Sequence, residues 1–309
     1  MTATPWWIAR AEALNDPADL GLLAVGDLWR LRERLAFLHL NVEPKLLALD
    51  VVATPEAARV WDSMLSRTRA VDDALKSSLA TLGRQMQSGE LNHQAFCALW
   101  QSLGYARHGE SGGSPADDFL DAMFHLSRLE SGDERPPEGN LNLSSRAERI
   151  ADFLTAMKPG PSDVVFDLGS GGGKVALTVA ASTECHVHGV ELIGPSVDDS
   201  RRAATFFGMH RATFTAGDVR DVDLSPGTIF YLYFPFRGSV AEHVAGVLAR
   251  LASHKAIQLY VAGPALEFGD YFLAHVAAGV FTLTERRGEF GEVLILRSAS
   301  PSGETRSVP

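Results

Sequence analysis

From residue 163 to residue 297 the chain alternates short apolar runs of strand length with segments of helical composition, and few folds satisfy such a pattern. The expected strands are 163–168, 186–192, 212–217, 228–234, 255–262, 281–285 and 292–297. Between them, 174–182, 196–209 and 240–253 read as helices. Strands that alternate with helices pair in parallel, because a parallel connection needs a crossover long enough to hold a helix, and those helices cover both faces of the sheet. The expected fold class is α/β: a mostly parallel seven-strand sheet with flanking helices, preceded by an all-helical N-terminal domain.

Upstream, three segments open with a capping side chain followed by proline at the first helical position: Asp16-Pro17, Thr54-Pro55 and Ser114-Pro115. Proline there gives up only an amide that the helix leaves unpaired. The longest predicted helix carries Trp61, Met64, Leu65, Val71, Leu75, Leu79, Leu82 and Met86, spaced mostly by three and four, as one buried stripe of a bundle. A further helix is expected over 91–103. Gly112-Gly113 and the stretch 131–142, with Pro136-Pro137, break the pattern. Trp6-Trp7 is expected to pin the N-terminus to the bundle. Ser145-Arg146-Ala147-Glu148 has the form of a capping box, with Ser145 as the cap of a helix ending near Met157. The predicted domains are therefore 1–135 (helical), 144–298 (α/β) and a small, polar, flexible tail at 299–309.

At 309 residues and 46% hydrophobic composition, core size does not limit folding. The formal charge of −10 is shared between the two halves, and neither is basic, which argues against a dedicated nucleic-acid or anionic-membrane surface. Cys97 and Cys185, one in each half, make neither a disulfide framework nor a zinc-ligand spacing, and both read as reduced, buried thiols. The first ten residues lack a signal-peptide pattern, and nowhere are there eighteen consecutive apolar residues. A cytoplasmic protein without a membrane span is expected, and a homodimer is compatible with this composition.

Between the first predicted strand and the helix after it lies Asp167-Leu168-Gly169-Ser170-Gly171-Gly172-Gly173. Glycines at such a turn adopt positive φ and let a ligand lie against the backbone, while the helix start beyond supplies unpaired amides. Two more acids close strands nearby: Glu191, about twenty residues on, where a carboxylate suits a ribose diol, and Asp218 at the end of the third strand. A nicotinamide dinucleotide fingerprint also starts with Gly169 and Gly171. It fails at Lys174, where that fingerprint needs a small residue, and at Asp167, whose charge would repel a pyrophosphate. A ligand with a sulfonium and an ammonium group is favoured by the same acid.

Val165-Phe166-Asp167-Leu168-Gly169-Ser170-Gly171-Gly172-Gly173, Gly189-Val190-Glu191 and Gly217-Asp218-Val219 together resemble the class I, Rossmann-like S-adenosylmethionine-dependent methyltransferase superfamily, over residues 145–297. The resemblance implies S-adenosylmethionine as cofactor. It places Gly169, Ser170, Gly171 and Gly173 along the methionine part and Asp167 at its amino end. Glu191, with Leu192 beside it, falls at the ribose, and Asp218 with the Val219 backbone at the adenine. A weaker local likeness, carried by Asp167-Leu168-Gly169-Ser170-Gly171 and Ala180-Ala181-Ser182-Thr183, is to the non-SET histone-lysine methyltransferases, although the basic nucleosome-binding segment of that family has no counterpart here.

After the fourth strand comes Tyr231-Leu232-Tyr233-Phe234-Pro235-Phe236-Arg237. Superfamily members that methylate amines carry Asn or Asp followed by Pro-Pro-Tyr here, and Tyr233 stands in place of that polar residue. Tyr233 and Phe234 are the expected catalytic wall, shielding and desolvating an acceptor. His243 is the candidate base for a hydroxyl acceptor. Arg146 and Arg237 are candidate anion contacts. His186 and His188 alternate on one strand face but lack a third ligand, so no metal is expected. The expected function is transfer of the methyl group of S-adenosylmethionine to a nitrogen or oxygen of a small molecule or protein side chain. The alternative is a catalytically silent S-adenosylmethionine-binding scaffold or sensor acting through the helical domain.

Overall fold

The computed structural model describes residues 6–14, 20, 24–49, 55–106, 113–126, 138–139, 144–263, 266–287 and 292–299. The chain divides into two compact units: one comprises 1–91 and 95–123, the other 92–94 and 124–309. The first unit is helical, with α1 (Trp6–Leu14), α2 (Val25–Leu49), α3 (Pro55–Ser88), α4 (His93–Ser102) from its third residue on, and α5 (Pro115–Met123). The predicted stripe of α3 is buried at Met64, Val71 and Leu75, and half-buried at Trp61, Leu65, Leu79, Leu82 and Met86. Trp7 is buried against Trp61, edge to face at 6.3 Å, and Trp29 meets Phe119 in the same way at 5.7 Å. Ser114 caps α5 as expected: Asp117 N–H donates to Ser114 Oγ, and Asp117 Oδ2 accepts from Ser114 N–H in return. Pro55 does begin α3. Asp16-Pro17, Thr54, Gly112, most of 131–142 and the predicted tail beyond residue 299 lie outside the described residues.

The second unit continues with α6 (Ala147–Met157), β1 (Val164–Leu168), α7 (Lys174–Ser182), β2 (His186–Glu191), α8 (Gly194–Phe206) and β3 (Ala212–Ala216). A 3-10 turn (Val219–Asp221) follows, then β4 (Ile229–Tyr233), α9 (Gly238–Ala252), β5 (Gln258–Gly263), α10 (Leu266–Ala277), β6 (Phe281–Arg287) and β7 (Glu292–Ser298). The sheet order is β3-β2-β1-β4-β5-β7-β6. All pairs from β3 to β5 are parallel, and β7 enters antiparallel between β5 and β6. The chain moves outward from β1 to β3 and then returns to β4 on the other side of β1. The carboxyl ends of β1 and β4 therefore form the switch point, the place where open α/β sheets bind their ligands.

The pleat sends alternate residues of β4 to opposite faces. Phe230 and Leu232 join Phe166, Leu259 and Leu296 in the core shared with α9 and α10. Tyr231 goes to the other face, where its ring stacks on Tyr260 and both meet Phe153 of α6 edge to face. Each such fully buried large side chain contributes roughly 1.5–3 kcal/mol. The start of α6 departs from the sequence expectation. Its N-cap is Arg146, without a side-chain cap, and Ser145 is not the cap. The Ser145 hydroxyl is instead hydrogen-bonded to the buried Tyr231 hydroxyl at 2.8 Å. A phenol removed from water needs a partner more than an exposed helix end does, so the serine goes to the tyrosine.

Candidate functional site

The glycine loop leaves β1 and is pinned to β2, since Gly169 N–H and Ser170 N–H both donate to Val190 O, at 2.8 and 2.9 Å. Two of its glycines are required by both conformation and space. Gly169 has φ 81°, and a Cβ there would fall 2.3 Å from Cβ of Pro235. Gly173 has φ 83°, and its Cβ would fall 2.6 Å from Oγ of Ser200 in α8. Gly173, not the Lys174 position, thus makes the close helix approach, and Lys174 is itself buried. Gly171 contributes through its N–H, which donates to Glu191 Oε2 at 2.8 Å.

The three acids are in different states. Glu191 bridges the loop and its own strand end: Oε2 accepts from Gly171 N–H and Oε1 from Ile193 N–H at 3.0 Å. A carboxylate has about four acceptor positions, so each oxygen retains capacity for another donor. Asp167 is 2% exposed, its Oδ2 is buried without a hydrogen-bond partner, and Ser170 Oγ in the loop is also unpartnered. Burial raises the Asp167 carboxyl from 3.8 to about 7; a hydrogen bond from Ala176 N–H opposes this and the charge of Glu191 adds to it. Asp218 caps the 3-10 turn through Arg220 N–H and is held on both oxygens by the Arg220 guanidinium, at 2.6–3.1 Å. That bonding keeps its carboxyl below the ordinary range. Leu192, next to Glu191, is 50% exposed although apolar, and Val219 is buried.

At the end of β4, Tyr233 is half-buried and Phe234 turns the chain with φ 45°, a left-handed conformation uncommon for a residue with a side chain. Phe234 packs edge to face on Phe268, and Pro235 closes on Gly169. The Arg149 guanidinium stands 4.8 Å above the Tyr233 ring. On the same face, Tyr260 O–H donates to Asp152 Oδ2 at 2.6 Å. Burial pushes the hydroxyls of Tyr231 and Tyr260 above the ordinary tyrosine range, so both remain protonated donors.

The predicted residues thus divide. Asp167, Gly169, Ser170, Gly171, Gly173 and Glu191 form one continuous structure at the ends of β1 and β2. Tyr233 and Phe234 join it through Pro235. His243 is exposed on α9, and its charge acts on Asp218. Arg146 and Arg237 are exposed. His186 is exposed, and both ring nitrogens of His188 are bonded to the hydroxyls of Thr213 and Thr215. Among the described residues no group of three His, Cys, Asp or Glu side chains is placed to hold a metal, and no helix is long and apolar enough to cross a membrane. Arg149, the cover that Pro235 puts on the loop, and Glu138 beyond it escaped the sequence reading. A helical arginine and an acid in a proline-rich break carry no spacing signal.

The strand order, the single reversed strand and the loop at the switch point make a seven-strand, Rossmann-like α/β fold. No family model matches the chain. Solved structures similar to it include an RNA methyltransferase from Salinibacter ruber in complex with S-adenosyl-L-homocysteine, at 18% identity over 54% of this chain and 99% of that one, TM-score 0.40. A precorrin-6y C5,15-methyltransferase from Geobacter metallireducens is 15% identical over 53% and 98%, TM-score 0.41. An O-methyltransferase from Thermotoga maritima is 11% identical over 60% and 72%, TM-score 0.43. Likenesses at this level carry no information on activity, and the fold rests on strand order and register.

Proposed function

We propose that this chain binds S-adenosylmethionine at the carboxyl ends of β1 and β2 and transfers its methyl group to a nitrogen or oxygen acceptor, on a small molecule or protein side chain, beside Tyr233. The observation that carries the reading is Asp167, a carboxyl buried at the foot of the glycine loop with Oδ2 lacking a partner. Unpaired buried polar atoms are few in folded proteins, and one beside the switch point of the sheet asks for a donor from a ligand. An ammonium group meets that requirement and a pyrophosphate does not. Glu191 keeps acceptor capacity toward a ribose diol, Leu192 offers an apolar face beside it, and Asp218 with the Val219 backbone stands where an adenine would lie.

S-adenosylmethionine supplies, when bound, a methyl group on a sulfonium whose departure leaves a neutral thioether. The protein's work is then alignment and exclusion of water. Asp167 orients an amino group, Glu191 fixes a sugar against the loop, and the Tyr233–Phe234–Pro235 corner walls the acceptor side. The Arg149 cation over Tyr233 disfavours an acceptor that arrives as an ammonium ion, which weighs against a lysine side chain. An amine arriving deprotonated needs no base. His243 lies on the exposed face of α9 and would act as a base only for a hydroxyl carried toward Asp218. Tyr233, which lacks the amide or carboxylate that grips an acceptor amine, supports a second reading, the cofactor-binding scaffold without transfer. Calorimetric titration with S-adenosylmethionine, S-adenosylhomocysteine and NAD tests the binding claim. Transfer of labelled methyl to a cell extract, nucleic acid included, separates enzyme from scaffold. Binding of NAD alone, or of none of the three, refutes the proposal.

A further inference from the structure

The corner after β4 is held from outside by chain about a hundred residues away. Gly139 bridges Phe236 in antiparallel fashion, and Arg237 N–H donates to Glu138 O at 3.0 Å. The Glu138 side chain then reaches the start of α9: Oε1 accepts from Ser239 N–H at 3.1 Å and Oε2 from Ser239 Oγ at 2.7 Å. The N–H of Val240 is directed at the same carboxylate. A Cβ on Gly238, where φ is 58°, would come within 2.7 Å of Oε1, so that glycine is what admits the carboxylate. Arg237, the N-cap of α9, supplies no capping side chain. Glu138 provides the cap instead, placing an anion where the helix presents unpaired amides. These hydrogen bonds, those to Ser239 foremost, hold its carboxyl below the ordinary range.

The residues held between Glu138 and β4 are those of the candidate site. Phe234 keeps its left-handed φ, a conformation that persists only where its surroundings enforce it. Pro235 lies against Gly169, so the corner and the glycine loop form one wall. We propose that Glu138 is a positioning residue: it clamps the start of α9, and through the Phe234–Pro235 corner it holds the glycine loop in its ligand-ready form. This rests on the reading of that loop as the S-adenosylmethionine site. Glu138 has no place in the core, so its removal leaves the sheet intact and frees only the corner. A freed Phe234 relaxes toward negative φ and withdraws Pro235 from Gly169, and a ligand must then restore that order as it binds. Glu138 also acts electrostatically on Arg220, the partner of Asp218, which is a second route to the same site.

The experiment is calorimetric binding of S-adenosylhomocysteine to the full chain, to Glu138→Ala, Glu138→Gln and Ser239→Ala, and to the Glu138→Ala/Ser239→Ala double variant, each with its melting temperature. Glu138→Ala is expected to weaken binding about tenfold, the scale of one charge-assisted hydrogen bond. Glu138→Gln, which keeps an acceptor oxygen, loses less. The double variant loses no more than Glu138→Ala alone, because both substitutions break the same clamp. Unchanged affinity in Glu138→Ala overturns the proposal, and so does a lower melting temperature without a change in affinity. Losses that add in the double variant also overturn it, since they assign the effect to the Arg220 route. If the unaltered chain does not bind S-adenosylhomocysteine, the functional reading fails and takes the clamp with it; binding that ignores Glu138 refutes the clamp alone.

Discussion

Asp167 couples the site to stability in a way that can be measured without any ligand. Burial carries its carboxyl from 3.8 to about 7, so between those values the folded chain holds a proton that the unfolded chain has released. Stability then falls as pH rises from about 4 to about 7, because the unfolded state is the one that ionises freely. The gap corresponds to about 4 kcal/mol when fully developed, an upper figure that relaxation around the carboxylate reduces. Asp167→Asn keeps the shape of the protonated acid and the acceptor for Ala176 N–H, yet cannot ionise. Urea denaturation midpoints measured for both proteins from pH 4 to pH 8 isolate this group. Carboxyls held below their ordinary range, such as Asp218 and Asp223, act in the opposite sense at lower pH and cancel in the comparison. The variant is expected to match the parent near pH 4 and exceed it by up to about 4 kcal/mol above pH 7. Parallel curves across the range would show that Asp167 is solvated in solution, and the argument from its unpaired oxygen would fall with them.

The same protonation acts on binding. Below pH 7 a ligand with an ammonium group must displace the Asp167 proton, so affinity for S-adenosylhomocysteine should rise by up to tenfold per pH unit from 5 to 7. Methylthioadenosine, which lacks the amino acid, should show a flat profile; equal slopes for the two ligands refute the assignment. Glu191→Ala should weaken cofactor binding by about 1.5–3 kcal/mol, the loss for a charged hydrogen-bond partner, measured by calorimetry. Unchanged affinity removes Glu191 from the site. Ser145→Ala should cost about 1–3 kcal/mol in chemical denaturation, because it strands the buried Tyr231 hydroxyl, and a loss as small as that of an exposed helix cap would contradict the 2.8 Å bond.

Strand period and helix period made the α/β unit readable, and the strand limits fall within three residues of those expected. Helix α10 was not legible. Its segment carries Gly269 amid aromatic residues, and Phe268, Gly269 and Phe272 are all buried, so the apolar and polar positions fail to separate into the contrast that announces an amphipathic helix. The capping box at Ser145 misled for a related reason. A local motif states what a side chain can do next to its own backbone, and a buried phenol 86 residues away made the stronger demand.

In the candidate site, the positions of the loop and its acids were legible because each lies at or beside the end of a strand. Glu191 closes β2 and meets Gly171 because parallel neighbours in register bring β1 and β2 to one edge. The aromatic run of β4 was legible only in part. A period of two sends Phe230 and Leu232 to one core and Tyr231 to the other, which leaves Tyr233 and Phe234 at the carboxyl end of the strand. What completes the site comes from elements joined by no repeat: Arg149 from α6, Pro235 bent over Gly169, and Glu138 from the stretch that the sequence marked only as a break. Their pairing depends on the left-handed turn at Phe234 and on the glycine at 238, where a side chain would collide with the Glu138 carboxylate. A Gly238→Ala substitution would press on the same clamp from the opposite side of the contact, and in the Glu138→Ala background its cost would fall to the backbone strain at φ 58° alone.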